Sequence, residues 1–368
     1  MRFLFCVPRY HTNLYFQVKS LKKERHAVSM VALYKGASED YSTIEPTVLG
    51  YSKLFLFINR IINLSGGKLI KNSFELKYGF PPVFKLWKLI KESKPDVFVI
   101  KNIESAFSLL IFFTGLILGK RIIFLTQIPK YRQKERSLSI ATVGLLDASV
   151  ITPVLGDSHL KNKNNNFFYI PFTIEANDFE KDYFVGGNIN LLCVGKFQER
   201  KDQLLLIKAV NNLRSKYPVT LTLIGQDDEM LYKDRILAYI HDHNLASIIN
   251  VKPHKDWAGT LELYKDFDIF VLPGYNESAS FSLLEAMSRK LVVVSSDDNG
   301  TACYIEEGGN GFIFKHKNFE DLKRVLEVLL KDRELIKKAG DKSFELVKKN
   351  HSAQSFYYFF MKVIKTNQ

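Results

Sequence analysis

The sequence predicts an α/β protein built from two doubly wound parallel-sheet domains. Short apolar runs alternate with stretches of helical spacing along most of the chain. The alternation restarts after a polar stretch from Pro171 to about Asn188 that ends in Gly186-Gly187. At 368 residues, 46% of them apolar, the chain is long enough to fill two cores. Short loops between alternating strands and helices favour parallel sheets covered by helices on both faces, and two restarts predict two such domains with a cleft between them.

The elements follow in order. Arg2 to Val7 reads as a strand, Leu14 to Arg25 as a helix and Ala27 to Leu33 as a strand. A helix-rich region spans Ser52 to Leu64, and a helix from Pro81 to Lys91 ends before Lys94-Pro95. Asp96 to Ile100 is a strand, Glu104 to Leu118 a helix, and Arg121 to Leu125, Ala148 to Thr152 and Phe168 to Ile170 are strands. After the restart come strands at 191–194, 221–224, 249–251, 269–272, 291–295 and 311–314. Helices are expected at 202–216, 229–243, 257–265 and from Phe319 onward. The expected domains are 1–170, a linker 171–187, and 188–345, with 346–368 a final helix packing back toward the first domain.

Composition narrows the class. The three cysteines, Cys6, Cys193 and Cys303, have neither metal-type spacing nor a disulfide framework, as expected in a reducing compartment. Met1 to Val7 is a strand rather than a secretory leader. The longest apolar run, Ala106 to Gly119, has 14 residues against the ~20 a spanning helix needs. It reads as a buried helix, and the expectation is a soluble cytoplasmic protein. The charge is lopsided: residues 1–170 carry 25 Lys and Arg against 11 Asp and Glu, the remainder 27 against 28. A basic amino half suits an anionic partner (a membrane surface, a phosphorylated substrate or nucleic acid) or else is a solvated lysine-rich surface.

Four stretches of the second half carry the chemistry. Asp268-Ile-Phe-Val-Leu-Pro-Gly-Tyr-Asn-Glu277 followed by Ser278 to Met287 reads as a buried strand, a tight loop and a helix start, with Glu277 and Glu285 across the loop. Ser282-Leu-Leu-Glu285 also fits a capping box, in which Glu285 satisfies only backbone donors. Leu191 to Gly195 runs into Lys196, Arg200 and Lys201, cations able to clamp a diphosphate. Leu223-Ile-Gly225 is a second strand ending in glycine, and Asn299-Gly300-Thr301 with Gly308-Gly-Asn-Gly311 forms further turns. All four lie where strands end and helices begin, and in a doubly wound sheet such ends share one rim.

The ordered set Gly195-Lys196…Lys201, Ile224-Gly225, Asp268 to Pro273, Glu277, Glu285-Ala-Met, Gly300, Gly308 and Gly311 resembles glycosyltransferase family 4, the retaining GT-B enzymes also described as glycosyl transferases group 1, of the bacterial surface-polysaccharide type. The resemblance covers roughly residues 188–330. It implies the GT-B fold, two Rossmann-like domains facing across a cleft, with the acceptor bound by the first and a nucleotide-diphosphate sugar by the second. It further implies that Lys196 and Lys201 hold the donor diphosphate, that Glu277 accepts from donor-sugar hydroxyls and Glu285 from the ribose, and that amides near Ser280, Phe281 and Ser282 meet the phosphates. Gly195 and Gly225 would border the donor and His254 the base. Glu277, Lys196 and Lys201 would then be the catalytic set, with no cofactor and no metal required. The implied product belongs to O-antigen or capsule-type polysaccharide on a lipid-linked oligosaccharide acceptor, with the protein peripheral on the inner face of the cytoplasmic membrane.

The chain departs from the family pattern in several places. The loop after the first strand is Pro8-Arg9-Tyr10-His11-Thr12-Asn13 rather than a glycine pair, and Gln127 stands where histidine is frequent. Lys290 and Val292 replace glycine and proline, and Cys303 replaces a glutamate. Arg9, His11 and Gln127 are the acceptor-side candidates, and Tyr10, Tyr15 and Phe16 are expected as exposed aromatics that dock lipid. A second reading is a binding protein on a degenerate GT-B scaffold, gripping anionic lipid or nucleic acid through the basic half. The intact Lys–Lys–Glu–Glu set argues against a nucleic-acid partner.

Overall fold

The computed structural model describes residues 1–36, 39–64, 71–130, 148–156, 166–253 and 256–366. The chain divides into two compact units: Met1–Pro171 with Ala353–Gln368, and Phe172–Ser352.

The first unit is a seven-stranded parallel sheet of β1 (Arg2–Arg9), β2 (Ala27–Tyr34), β3 (Thr47–Val48), β4 (Val97–Lys101), β5 (Arg121–Leu125), β6 (Ser149–Thr152) and β7 (Phe167–Tyr169), in the order β3-β2-β1-β4-β5-β6-β7. The apolar run of β1 is continuous because both faces are covered. Phe3, Phe5 and Val7 enter a core with Val18, Leu21, Phe356 and Phe360, under the helices Tyr15–Lys23 and Ala353–Thr366. Leu4 and Cys6 enter the opposite core with Leu86, Ile90, Phe107 and Ile111, under the helices Val83–Ser93 and Ala106–Ile117. The helix Ala353–Thr366 is also pinned by polar contacts: Ser20 Oγ donates to the Ala353 carbonyl at 2.8 Å, and the His26 ring meets the Tyr357 hydroxyl at 3.1 Å.

Local chemistry explains where boundaries differ from expectation. The helix expected from Pro81 starts at Val83, since Pro82 is its non-helical cap (φ −59°, ψ 115°) and Pro81, preceding a proline, is kept out of the helical region. It stops at Ser93 because Lys94 turns left-handed (φ 43°) before Pro95. The apolar run after Glu104 is helical, capped by Ser105 Oγ accepting from the Ser108 amide at 3.1 Å, but it is buried along one face only. The helix Lys71–Tyr78 and the two-residue β3 carry no sequence signal strong enough to have been read. Among the described residues no helix is long and apolar enough to cross a membrane.

The second unit is a six-stranded parallel sheet of β8 (Ile189–Val194), β9 (Val219–Gly225), β10 (Ile249–Pro253), β11 (Ile269–Leu272), β12 (Val292–Ser296) and β13 (Gly311–Phe314), ordered β10-β9-β8-β11-β12-β13. Leu191, Leu221, Ile269 and Val292 fill its core against Leu206, Val210, Ile236 and Leu326 from the helices Gln203–Leu213, Met230–Asp242 and Phe319–Lys331. The stretch 171–187 is fastened to this unit. Buried Asp268 accepts the amides of Phe184 (2.9 Å) and Asn190 (2.7 Å), while Lys181 Nζ donates to the carbonyls of Lys265 (3.0 Å) and Phe267 (2.7 Å). Burial raises the Asp268 carboxyl above its usual range and lowers Lys181 to about 8. Residues 346–368 hold the end of the helix Arg333–Asn350 and the whole of Ala353–Thr366, with His351 Nδ1 against the Phe172 carbonyl at 2.8 Å in the break between them.

In both sheets the strand order reverses beside the first strand, between β1 and β4 and between β8 and β11. The loops leaving the carboxyl ends of these pairs splay in opposite directions, which opens a crevice where doubly wound folds bind ligands.

Candidate functional site

At the reversal point of the second sheet the loops after β8 and β11 are bound to each other through their backbones. The Tyr275 amide donates to the Arg200 carbonyl at 2.9 Å, and a Cβ on Gly274 would lie 3.0 Å from that same oxygen, so only glycine fits there without displacement. Gly225 is constrained more severely, since a Cβ would stand 2.1 Å from the Gly195 carbonyl oxygen. The close approach is therefore demanded of Gly225, while Gly195, whose Cβ would meet Lys201 at an ordinary 3.7 Å, supplies the carbonyl. On the other side, the Glu277 amide donates to the Asp298 carbonyl (3.1 Å) and its carbonyl accepts from the Gly300 amide (2.9 Å). Asn276 takes the left-handed turn (φ 53°) that makes this register possible.

These backbone ties bring three side chains together. Glu277 Oε2 accepts from Lys201 Nζ and Arg200 Nη1, each at 2.6 Å. Glu277 Oε1 has no hydrogen-bond partner among the described residues. Lys201 and Glu277 line a small hollow with Gly195, Gln203, Pro273, Gly274 and Asn299. Gln203 is buried, donates its amide to the Lys196 carbonyl at 2.9 Å, and leaves its Oε1 unpaired. The result is a pair of cations beside one open carboxylate oxygen, Glu277 Oε1, fit for an anion flanked by a hydroxyl group.

The other expected residues fall elsewhere in the unit. Lys196 points to a separate partner, Asp228, at 2.8 Å, and that hydrogen bond holds the Asp228 carboxyl below its usual range. Gln198 donates to the same carboxylate. Glu285, on the helix Phe281–Met287, is buried with both oxygens occupied: Trp257 Nε1 donates at 2.7 Å and the Tyr264 hydroxyl at 3.0 Å. Burial raises its carboxyl above the ordinary glutamate range, and the two donors pull it back. No backbone amide of the helix start reaches it, so the capping-box alternative is not what forms. Ser280 precedes the helix, its amide donating to Thr301 Oγ1 at 3.3 Å and its hydroxyl meeting Ser282 Oγ at 2.8 Å. Phe281 packs edge-on to Phe172. His254 lies outside the described residues. Arg200, named with Lys196 and Lys201 as a diphosphate clamp, joins the cluster, whereas Gln203, Trp257 and Tyr264 were not singled out as site residues. These three meet the site through contacts far apart in the chain and had no sequence signal of their own.

The reversal point of the first sheet gathers a second polar group. Arg9 ends β1, Lys101 ends β4 and Gln127 follows β5, three adjacent strands. Arg9 Nη2 lies 2.6 Å from Glu39 Oε1. Desolvation, with Lys101 and Arg9 nearby, pushes His11 down to about 2, so its ring is neutral at physiological pH. Desolvation and Arg9 bring Lys101 down to about 7, Glu39 opposing. Tyr10 and Phe16, expected as exposed aromatics, are instead buried, Tyr10 in the core with Leu14, Val18 and Leu21, and Tyr15 is half-buried. Their spacing suits a core face, and the loop chemistry around them hid it.

Lys101 gives a measurable pH signature. The folded state resists its charge, so a cost is present in full below about pH 7 and vanishes as pH rises toward the unfolded value near 10.5. Replacing Lys101 by Met should raise the Tm at pH 6 by on the order of 5 °C, with the gain shrinking toward pH 10. Thermal melts across that range check it, and an equal gain at both ends would refute the assignment.

Residues 175–345 match the family described as Glycosyl transferases group 1. A lipopolysaccharide core biosynthesis glycosyltransferase of Rhizobium meliloti is 26% identical over 159 residues, 42% of this chain and 43% of that protein. An N,N'-diacetylbacillosaminyl-diphospho-undecaprenol alpha-1,3-N-acetylgalactosaminyltransferase of Campylobacter jejuni is 34% identical over 109 residues, 28% of this chain and 29% of the relative. The matches thus span less than half the length of these curated relatives. Over the whole of both chains the fold is similar to that of Anabaena HepE in complex with UDP (TM-score 0.74, 13% identity) and Staphylococcus aureus TarM with Fondaparinux, alpha-GlcNAc-glycerol and UDP (TM-score 0.73, 14% identity). Two parallel doubly wound sheets in one chain are the GT-B fold.

Proposed function

From a chain that belongs, through residues 175–345, to the glycosyl transferases group 1 family, we infer an enzyme that moves a sugar from a nucleoside-diphosphate sugar to a saccharide acceptor. The observation that carries this reading is the Lys201–Glu277–Arg200 cluster at the reversal point of the second sheet. Lys201 and Arg200 are poised to turn from Glu277 to the donor diphosphate, and the free Glu277 Oε1 to accept a sugar hydroxyl. Lys196 has farther to come, since it must leave Asp228.

The chemistry proposed is a substitution at the anomeric carbon. Its bond to the β-phosphate oxygen breaks, the acceptor oxygen bonds to the same face, and the acceptor proton passes to the departing phosphate. Negative charge grows on the diphosphate as the bond breaks, and cations already aimed at it lower the barrier. Because the phosphate takes the proton, no protein base is needed, and because the acceptor bonds on the face that the phosphate leaves, configuration is retained. No metal is required if Lys201 and Arg200 carry the charge.

The acceptor is proposed to be a lipid-linked saccharide in surface-polysaccharide assembly, bound at the Arg9–His11–Lys101 rim with Gln127 at its edge. Support comes from the diphospho-undecaprenol substrate in the Campylobacter relative's name and from the basic first half. Titrating UDP, GDP, ADP and CMP by calorimetry, with and without EDTA, tests the donor reading. One nucleotide should bind saturably and independently of EDTA, and binding by none would overturn the reading. The anomeric coupling of the product by NMR tests retention.

A further inference from the structure

The side of the seven-stranded sheet that carries the helices Val83–Ser93 and Ala106–Ile117 presents an unusual outer surface. In the helix Lys53–Leu64 the residues Leu54, Phe57, Ile58 and Ile61 stand at i, i+3, i+4 and i+7, a spacing that ordinarily faces a core. Here the inward residue is Phe55, packed on Phe74 and Phe80, and the stripe is turned to solvent. Leu54 is 61% exposed, Phe57 63% and Ile61 52%. The Ser52 amide donates to the Phe80 carbonyl at 2.9 Å, tying the start of this helix to the turn that opens Val83–Ser93. That second helix adds Phe84, 81% exposed, and Trp87.

So large an exposed apolar surface marks a docking site, and the charge around it identifies the partner. Residues 51–94 carry nine Lys and Arg against two Glu. Lys85, Lys88 and Lys91 share the helix of Phe84 and Trp87, and Lys91 Nζ sits 5.4 Å from the Trp87 ring centroid. Aromatic and aliphatic side chains ringed by lysines match a bilayer boundary, where rings enter the acyl region and amines meet lipid phosphates. A second copy of the chain fits poorly, because a two-fold contact would lay these cations against themselves. Nucleic acid fits poorly as well, since it would leave the aliphatic stripe facing a polyanion.

We propose that the face formed by the helices Lys53–Leu64 and Val83–Ser93 docks the protein on an anionic phospholipid bilayer. Docking of this kind extends the lipid-linked-acceptor reading and shares no residue with the donor site, so the two fail separately.

Flotation of the full chain with phosphatidylcholine vesicles, alone or mixed with phosphatidylglycerol, is the test. Wild type should float with the mixed vesicles, and Phe57→Ser with Phe84→Ser should cut the bound fraction about tenfold. Leu231→Ser, an exposed site in the other unit, should float as wild type does, as should Glu277→Gln. Circular dichroism melts of the double variant guard against unfolding. Binding that salt abolishes but the double variant leaves intact would overturn insertion in favour of charge alone. Failure to float with either vesicle would overturn the proposal, as would a wild-type dimer in sedimentation that the double variant breaks. Donor-nucleotide affinity measured in the same samples should not change with the double variant.

Discussion

Replacing Lys201 by Ala should lower kcat/KM for the donor by about a hundred- to a thousand-fold, the usual cost of removing one group that stabilises a developing anion. Lys201 is well enclosed beside Glu277, so little solvent is at hand to replace its charge. The same change should weaken nucleoside-diphosphate binding. Glu277→Gln should behave oppositely in the binding experiment. In the free protein Glu277 competes with the diphosphate for Lys201 and Arg200, and an amide releases both cations. Diphosphate affinity should therefore hold or rise while kcat falls, because the hydroxyl acceptor is weakened. Calorimetry beside steady-state turnover on the two variants separates the roles. Parallel losses of affinity in both would show that Glu277 contacts the nucleotide rather than holding the cations.

Glu285→Ala should be the most destabilising single change in the second unit's site. It strips the acceptor from two buried donors, Trp257 Nε1 and the Tyr264 hydroxyl, at about 1–3 kcal/mol each. A fall in Tm of about 5–10 °C follows for a unit of this size. Glu285→Gln keeps one acceptor oxygen and should lose about half as much. Nucleotide titration of both variants, well below their melting temperatures, then reports whether the carboxylate also reaches a ribose. Full affinity in a folded Glu285→Ala protein would leave it a structural residue alone.

Much of the architecture was legible because strand ends in parallel sheets are punctuated by Gly and Pro. Gly195, Gly225 and Pro273-Gly274 marked three rim positions, and Glu277 stood out by its place after one of them. The partners of these residues were not legible. Arg200 and Glu277 meet across 77 positions of chain, and Trp257 reaches Glu285 from a different helix. Such pairings arise when a sheet stacks loops that sequence keeps apart. Periodicity has a different blind spot. It reports that Leu54, Phe57, Ile58 and Ile61 share a stripe and is silent on whether that stripe meets protein, lipid or water.

The return of the helix Ala353–Thr366 to the first unit imposes an order on biosynthesis. Phe3, Phe5 and Val7 are made early with Val18 and Leu21, yet Phe356 and Phe360, which complete their core, are made only after the whole of Phe172–Ser352. The second unit can form while the first waits with one face of its sheet only half covered, by the helix Tyr15–Lys23 alone. Arrested or truncated chains would thus carry a sticky amino-terminal half, a natural client for chaperones.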